Sequence, residues 1–170
     1  MTDKRKGLAV LRIALGAGFL FAGLEKFLDL TGKPFSAAGF LKGATGGTLP
    51  GSDPKVIVNP THDFWVSLAA NPQAVEVINF LVVFGEIAIG VALVLGLFTR
   101  FAGVMGALMM GLFYVASWSF ATGPFNQQFM YGIVSLYLAY AAAGEVWGLD
   151  GWIERLPAVR RAPALRYVLG

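Results

Sequence analysis

Four stretches of this chain are each long and apolar enough to cross a lipid bilayer, and few other folds can absorb so much uninterrupted apolar sequence. They run from about Gly7 to Leu28, Val75 to Phe98, Phe101 to Phe120 and Gln128 to Trp147. A membrane-spanning helix needs about 20 mostly apolar residues. The second stretch holds a single deep charge, Glu86, the third holds none, and the fourth is uncharged until Glu145. A core helix of a soluble protein is seldom apolar all round for this length. Only 14% of the 170 residues are charged, against about 25% in a soluble domain. The expected fold is an all-α integral membrane four-helix bundle over residues 1–150, in contact with lipid, followed by a basic amphipathic tail over 151–170.

The cations give the orientation. Lys4, Arg5, Lys6 and Arg12 precede or open the first span, Arg100 sits in the link between the second and third, and Arg155, Arg160, Arg161 and Arg166 follow the fourth. In a four-span topology all of these fall on one side. The loop from about Thr31 to Asn71, on the other side, has only Lys33, Lys42 and Lys55. The excess of Lys and Arg on cytoplasmic loops then places both termini in the cytoplasm of a multi-pass plasma-membrane protein, with the long loop outside. A cleaved signal peptide is disfavoured, because the first apolar run is long and carries Arg12.

The outer loop is rich in Gly, Pro and Ser, and loops this long are often functional. Asn59-Pro60-Thr61-His62-Asp63 reads as a helix start with an Asn cap, and Asn71-Pro72 repeats the device at the head of the second span. Between them, Phe64 to Leu68 is a short amphipathic piece suited to the outer surface or to capping the bundle. In the tail, Trp152, Ile153, Leu156 and Val159 alternate with arginines, which suggests a cytoplasmic interfacial helix broken at Pro157 and Pro163.

Composition excludes several chemistries. There is no cysteine and one histidine, His62. That removes disulfides, iron–sulfur clusters and a bis-His haem within the chain, and leaves no expected metal site. Beyond Lys4–Arg5–Lys6 there is no dense basic run, so nucleic acid is not an expected partner. Any redox role must draw on a diffusible cofactor or a partner subunit.

Helical spacing places Arg12, Gly16, Phe19, Gly23 and Lys26 on one face of the first span, and Asn79, Glu86, Leu93 and Arg100 on one face of the second, with Gly90 beside them. Charge facing lipid is costly, so both faces should turn inward. Two small-residue series, Ala88–Ala92–Gly96 and Gly103–Ala107–Gly111, suit close packing within the bundle or in a homo-oligomer. Helix rise puts Glu86 roughly 20 Å, Lys26 roughly 28 Å and Arg12 roughly 8 Å above the inner boundary. Two charge clusters follow. Glu86 with Lys26, and Glu25 nearby, lies toward the outside; Arg12 with Glu145 or Arg100 lies toward the inside as a structural cluster. Glu86 reads equally well as a ligand or proton-exchange site and as a structural pair that fixes register. Gln128, Tyr131 and Ser135 lie near one face of the fourth span, and Tyr114, Trp118 and Tyr137 add aromatic surface. These suit either an interfacial aromatic belt or a flat slot for a ring-shaped, lipid-soluble ligand such as a quinone.

The patterns Arg12-x3-Gly16-x6-Gly23-x2-Lys26, Gly85-Glu86-x3-Gly90, the run Leu95 to Gly103, Asn126 before the fourth span and Gly148-Leu149-Asp150 after it resemble those of DoxX/DoxD family membrane proteins. The resemblance covers roughly Leu8 to Asp150 and implies a four-helix membrane fold. Its DoxD branch, favoured by the long first loop, implies the membrane subunit of a thiosulfate:quinone oxidoreductase, working with a separate DoxA-like or other redox partner. On this reading quinone is a diffusible substrate and no cofactor is covalently bound. Glu86 and Lys26 are the expected catalytic pair, with Asn79, Glu25, Asn126, Gln128 and Tyr131 as ligand-binding residues. The alternative is a structural or assembly subunit without chemistry; a transporter fits less well, since no broken helix or repeat is evident. The alternative predicts that trimming Gly43 to Lys55 releases a co-purifying partner while Glu86→Gln has no effect. Pull-down of the trimmed and substituted chains checks it.

Overall fold

The structure is a computed structural model that describes residues 3–30, 32–44, 59–118, 124–160, 165 and 167–170. Lys55, Arg161, Pro163, Arg166 and the Phe120 end of the predicted third span lie outside the described residues. The regular structure among the described residues is helical, with no strand. In order they form α1 (Asp3–Phe27), α2 (Ala37–Ala44), α3 (His62–Ala70), α4 (Pro72–Leu95), α5 (Thr99–Ser117), α6 (Gln127–Tyr140), and the single turns α7 (Asp150–Ile153) and α8 (Pro157–Arg160). Three of them, α1, α4 and α5, are long and apolar enough to cross a membrane.

The boundaries follow from local chemistry. The Asn71 side chain accepts from the amides of Gln73 and Ala74, and Pro72 opens the first turn of α4, as the sequence predicts. α4 ends where Gly96 takes a left-handed conformation (φ 64°) that costs glycine nothing. Asn59 departs from its predicted role. It lies two residues before the Thr61 cap of α3, accepts from the Thr61 amide and hydroxyl, and donates to the carbonyls of Val115 and Ala116. It therefore fastens the head of α3 to the end of α5 instead of capping a helix, because the α5 carbonyls left without partners at that helix end need donors.

The predicted span over 128–147 is helical only over Gln127–Tyr140, 14 residues. At about 1.5 Å per residue that helix is roughly 21 Å long, short of the ~30 Å hydrocarbon core. The chain then turns irregularly, with Ala142 and Trp147 in left-handed conformations (φ 49° and 53°). The physical reason is Arg12. Its guanidinium is fully buried and takes the carbonyls of Ala143 and Trp147 at 2.9 and 3.0 Å. Oxygens committed to a continuing helix would be poorly placed to serve it.

α1 lies along α4, α5 lies along α6, and α4 meets α5. Leu15, Phe19, Ile89, Leu93, Met110 and Leu138 form the core between them. The α1–α4 contact is nearly backbone to backbone. A Cβ at Gly16 would stand 2.8 Å from the Leu93 Cβ and the Val94 nitrogen, and one at Gly90 would collide with the Leu20 backbone. Gly103 does the same for α5 against Ser135 and Ala139 of α6, while Gly111 of the same series faces open space. Phe21, Phe80, Phe84, Leu108 and Leu112 point outward, where lipid is a favourable solvent. α2 and α3 pack on each other around Ala37, Leu41 and Ala69, and Ile78 of α4 joins them.

Overpacking a tight helix contact costs about 1–3 kcal/mol or more. Gly90→Leu should therefore lower the unfolding midpoint in detergent clearly, and Gly111→Leu should leave it unchanged; thermal unfolding of the two variants checks this.

Candidate functional site

The inward faces of α1 and α4 meet at Lys26 and Glu86. The Lys26 ammonium donates to both carboxylate oxygens of Glu86, at 2.8 and 3.1 Å, and to the Ala22 carbonyl at 3.1 Å. Glu86 is 3% exposed. Gly23 allows the approach, since a side chain there would press on Ile87 and on the Glu86 Cβ at 3.0 Å. The Phe35 ring, on the segment leading into α2, lies 5.5 Å from the Lys26 nitrogen and covers it from the end of the bundle that carries α2 and α3. Three of the features that hold a charge in an apolar setting are thus present together: an opposite charge, a backbone carbonyl and an aromatic face.

The pair stands between two clefts. The first, about 420 Å³, opens among α1, α4, α5 and α6 and is lined by Leu15, Phe19, Met110 and Phe113, with Glu86, Gln127, Gln128 and Tyr131 as its polar groups. The second, about 450 Å³, lies between the end of α1 and the first half of α4; Lys26, Asp29 and Asn79 are its polar groups, among Phe27, Phe35, Phe80 and Phe84. Glu86 lines one cleft and Lys26 the other. Both volumes fall in the range of small-molecule sites, about 300–1,000 Å³.

The sequence-predicted residues separate into two groups. Glu86, Gln128 and Tyr131 share the first cleft, and Lys26 is bonded to Glu86. Asn79 lines the second cleft, but its oxygen already accepts from the Ala37 amide at 2.7 Å and so holds the head of α2. Asn126 caps α6 through the Phe129 amide, donates to the Ser117 hydroxyl, and lines neither cleft. Glu25 lies close enough for its charge to act on Glu86, yet lines neither cleft.

The inner cluster differs from expectation. Glu145 pairs with Arg5 at 2.9 Å, not with Arg12. The charge acting on Arg12 is that of Asp150. The division follows exposure: Arg12 and Asp150 are fully buried, whereas the Glu145 side chain reaches the surface where Arg5 can meet it. Arg100 packs against Gly170. Asp150 carries more of the structure than the sequence suggests. Its carboxylate accepts from the amides of Phe98, Thr99 and Gly170 at 2.7, 2.8 and 3.1 Å. It therefore caps α5 from about fifty residues downstream and holds Phe98 in a left-handed conformation (φ 50°). Its one sequence signal was its place at the end of Gly148-Leu149-Asp150. Gln127, Phe35 and Asp29 were also not anticipated as lining residues, because each belongs to its cleft through a fold-level contact.

A family model described as TQO small subunit DoxD matches residues 8–161. No curated protein and no solved structure matches the chain.

Removing one partner of a buried ion pair costs about 3–5 kcal/mol, because the other charge is left uncompensated. Lys26→Met should destabilise the protein by that order, and Lys26→Met combined with Glu86→Gln should recover most of the loss. A double-substitution cycle on unfolding midpoints measures this coupling.

Proposed function

This chain belongs to the DoxD family, and we propose that it is the quinone-handling membrane subunit of a thiosulfate:quinone oxidoreductase, delivering electrons to the quinone pool in company with a separate redox partner. The observation that carries the reading is the first cleft. It is apolar, it lies among helices where a lipid-soluble ring can enter sideways, and it gathers one carboxylate with two amides and a phenol. Gln127, Gln128 and Tyr131 suit hydrogen bonds to ring carbonyls, and Glu86 suits exchange of the proton that accompanies reduction. Lys26 holds the Glu86 charge when the proton has gone. With no cysteine in the sequence, this reading gives the first acceptance of electrons from the donor to the partner.

In this reading residues 127–149 complete a fourth crossing, both termini lie in the cytoplasm and α2 and α3 cap the outer face. Lys33 and Lys42, with Lys55 in the same loop, favour the approach of an anionic donor such as thiosulfate by their charge.

Protein purified from its native membrane should carry extractable quinone, and Glu86→Gln should deplete it. Loss of a general acid–base group lowers a rate by about 100-fold or more, so thiosulfate-driven quinone reduction in Glu86→Gln membranes should fall by that order. Gln128→Leu should raise KM for quinone more than it lowers kcat. Wild-type rates in Glu86→Gln would remove the proposal.

A further inference from the structure

The second cleft has no role in the quinone site as described, yet the site's own ion pair forms part of its wall. Three features decide what it can admit. The first is charge. Lys26 and Asp29 line it, Glu86 stands behind Lys26 at 2.8 Å, and Glu25 adds a further carboxylate beside the pair. Glu25, Lys26 and Asp29 come from α1 and its last turn, and Glu86 comes from α4. Lys26 and Asp29 are the charged residues that line the cleft itself, and the Glu86 and Glu25 carboxylates beside Lys26 tip the local field toward cations and protons and away from anions.

The second feature is Asp29 itself. The amides of Leu28 and Leu30 bond back to Leu24 and Glu25, and Asp29 sits between them in a left-handed conformation (φ 51°) as the chain leaves α1. Helices usually give this position to glycine, because other residues meet steric resistance there. The residue here instead carries an exposed carboxylate to the mouth of the cleft. The third is Phe35, whose ring narrows the cleft directly over the Lys26 nitrogen. The passage is therefore open enough for water and narrows at the ion pair.

We propose that the second cleft is the proton route of the first, with Asp29 as the residue that passes protons between water and the Lys26–Glu86 pair. The proposal rests on the quinone reading of the first cleft. Reduction of a quinone to a quinol takes two electrons and two protons; the electrons come from the reductant through the partner subunit. Each proton leaves the Glu86 carboxyl for a substrate oxygen, so that one O–H bond breaks and one forms. The Glu86 carboxylate takes its replacement from the Lys26 ammonium. The Lys26 amine is then re-protonated from water by way of Asp29, and one proton leaves the water for each one delivered. Asp29 is a positioning and relay residue in this scheme and does not touch the substrate.

Two measurements test it. The chain has no cysteine, so single cysteines report water access without background. Val83→Cys, inside the second cleft, should react with a charged, membrane-impermeant methanethiosulfonate reagent many-fold faster than Phe21→Cys, which points outward. Equal rates would overturn the route. In thiosulfate-driven quinone reduction, Asp29→Asn should keep its bound quinone but lose about 100-fold of the rate, the low end expected for loss of a proton-transfer group. It should show an enlarged solvent deuterium isotope effect and regain activity with added imidazole, a small cationic proton carrier; Asp29→Glu should restore most of the rate. If Asp29→Asn keeps the wild-type rate and isotope effect while Glu86→Gln loses its quinone, the route is wrong and the quinone site stands. If the wild type carries no quinone, both fall.

Discussion

A lysine and a glutamate bonded to each other in an otherwise apolar helix interface impose the strictest condition on this structure. Neither charge is tolerable alone in hydrocarbon. Satisfying both fixes α1 and α4 in rotation and in height, to within the 2.8 Å reach of the pair. The remaining sequence of both helices serves that placement. Gly16, Gly23 and Gly90 remove the side chains that would hold the backbones apart. Leu15, Phe19, Ile89 and Leu93 then fill the space around the contact. The outward residues are left to meet lipid.

The opposite end of the molecule solves the same problem with different chemistry. Among the described residues no carboxylate is bonded to Arg12, which is held by backbone carbonyls that α6 surrenders by ending at Tyr140. Asp150 answers with backbone amides from the start of α5 and from Gly170. A buried cation and a buried anion thus act on each other mainly through the charge field while each is solvated by main chain. The link between α4 and α5 and the turn after α6 are tied into one unit, with the Leu149 and Asp150 amides bonded to Leu95 and Gly96. This end reads as structural, and the Lys26–Glu86 end, with clefts on either side, reads as the place for chemistry.

Much of the fold was legible because it depends on quantities local to the chain. Apolar length located the three helices long and apolar enough to cross a membrane, and it carried the fourth stretch past Tyr140, where the helix ends. Period 3.6 put Gly16, Gly23 and Lys26 on one face, and the rise per residue put Lys26 nearer in height to Glu86 than Arg12. Asn71-Pro72 marked a helix start through chemistry contained in four residues. What escaped depends on contacts that only the fold creates. Glu145 suits Arg12 or Arg100 by its place near the inner end of the fourth stretch, but exposure decides the pairing in favour of Arg5. Asn59 and Asn126 are polar residues near helix ends, and only the packed structure shows one fastening α3 to α5 and the other capping α6. Asp150 reaches back across about fifty residues, and the early end of α6 follows from a side chain on α1. The candidate site divides in the same way: the ion pair was readable from depth, whereas its division of two clefts was not.

The proposed function depends on that pair being formed in the bilayer, with Glu86 lining one cleft and Lys26 the other. Solid-state NMR on protein labelled with ¹⁵N at the lysine side chains and ¹³C at the glutamate carboxyls, in lipid bilayers, reads it directly through dipolar recoupling. A strong coupling between the Lys26 nitrogen and the Glu86 carboxyl carbon is expected, consistent with the nitrogen–oxygen contact of 2.8 Å and absent in Glu86→Gln. A wild-type spectrum without that coupling would contradict it, because the two clefts would then share no common wall and α1 and α4 no charged register.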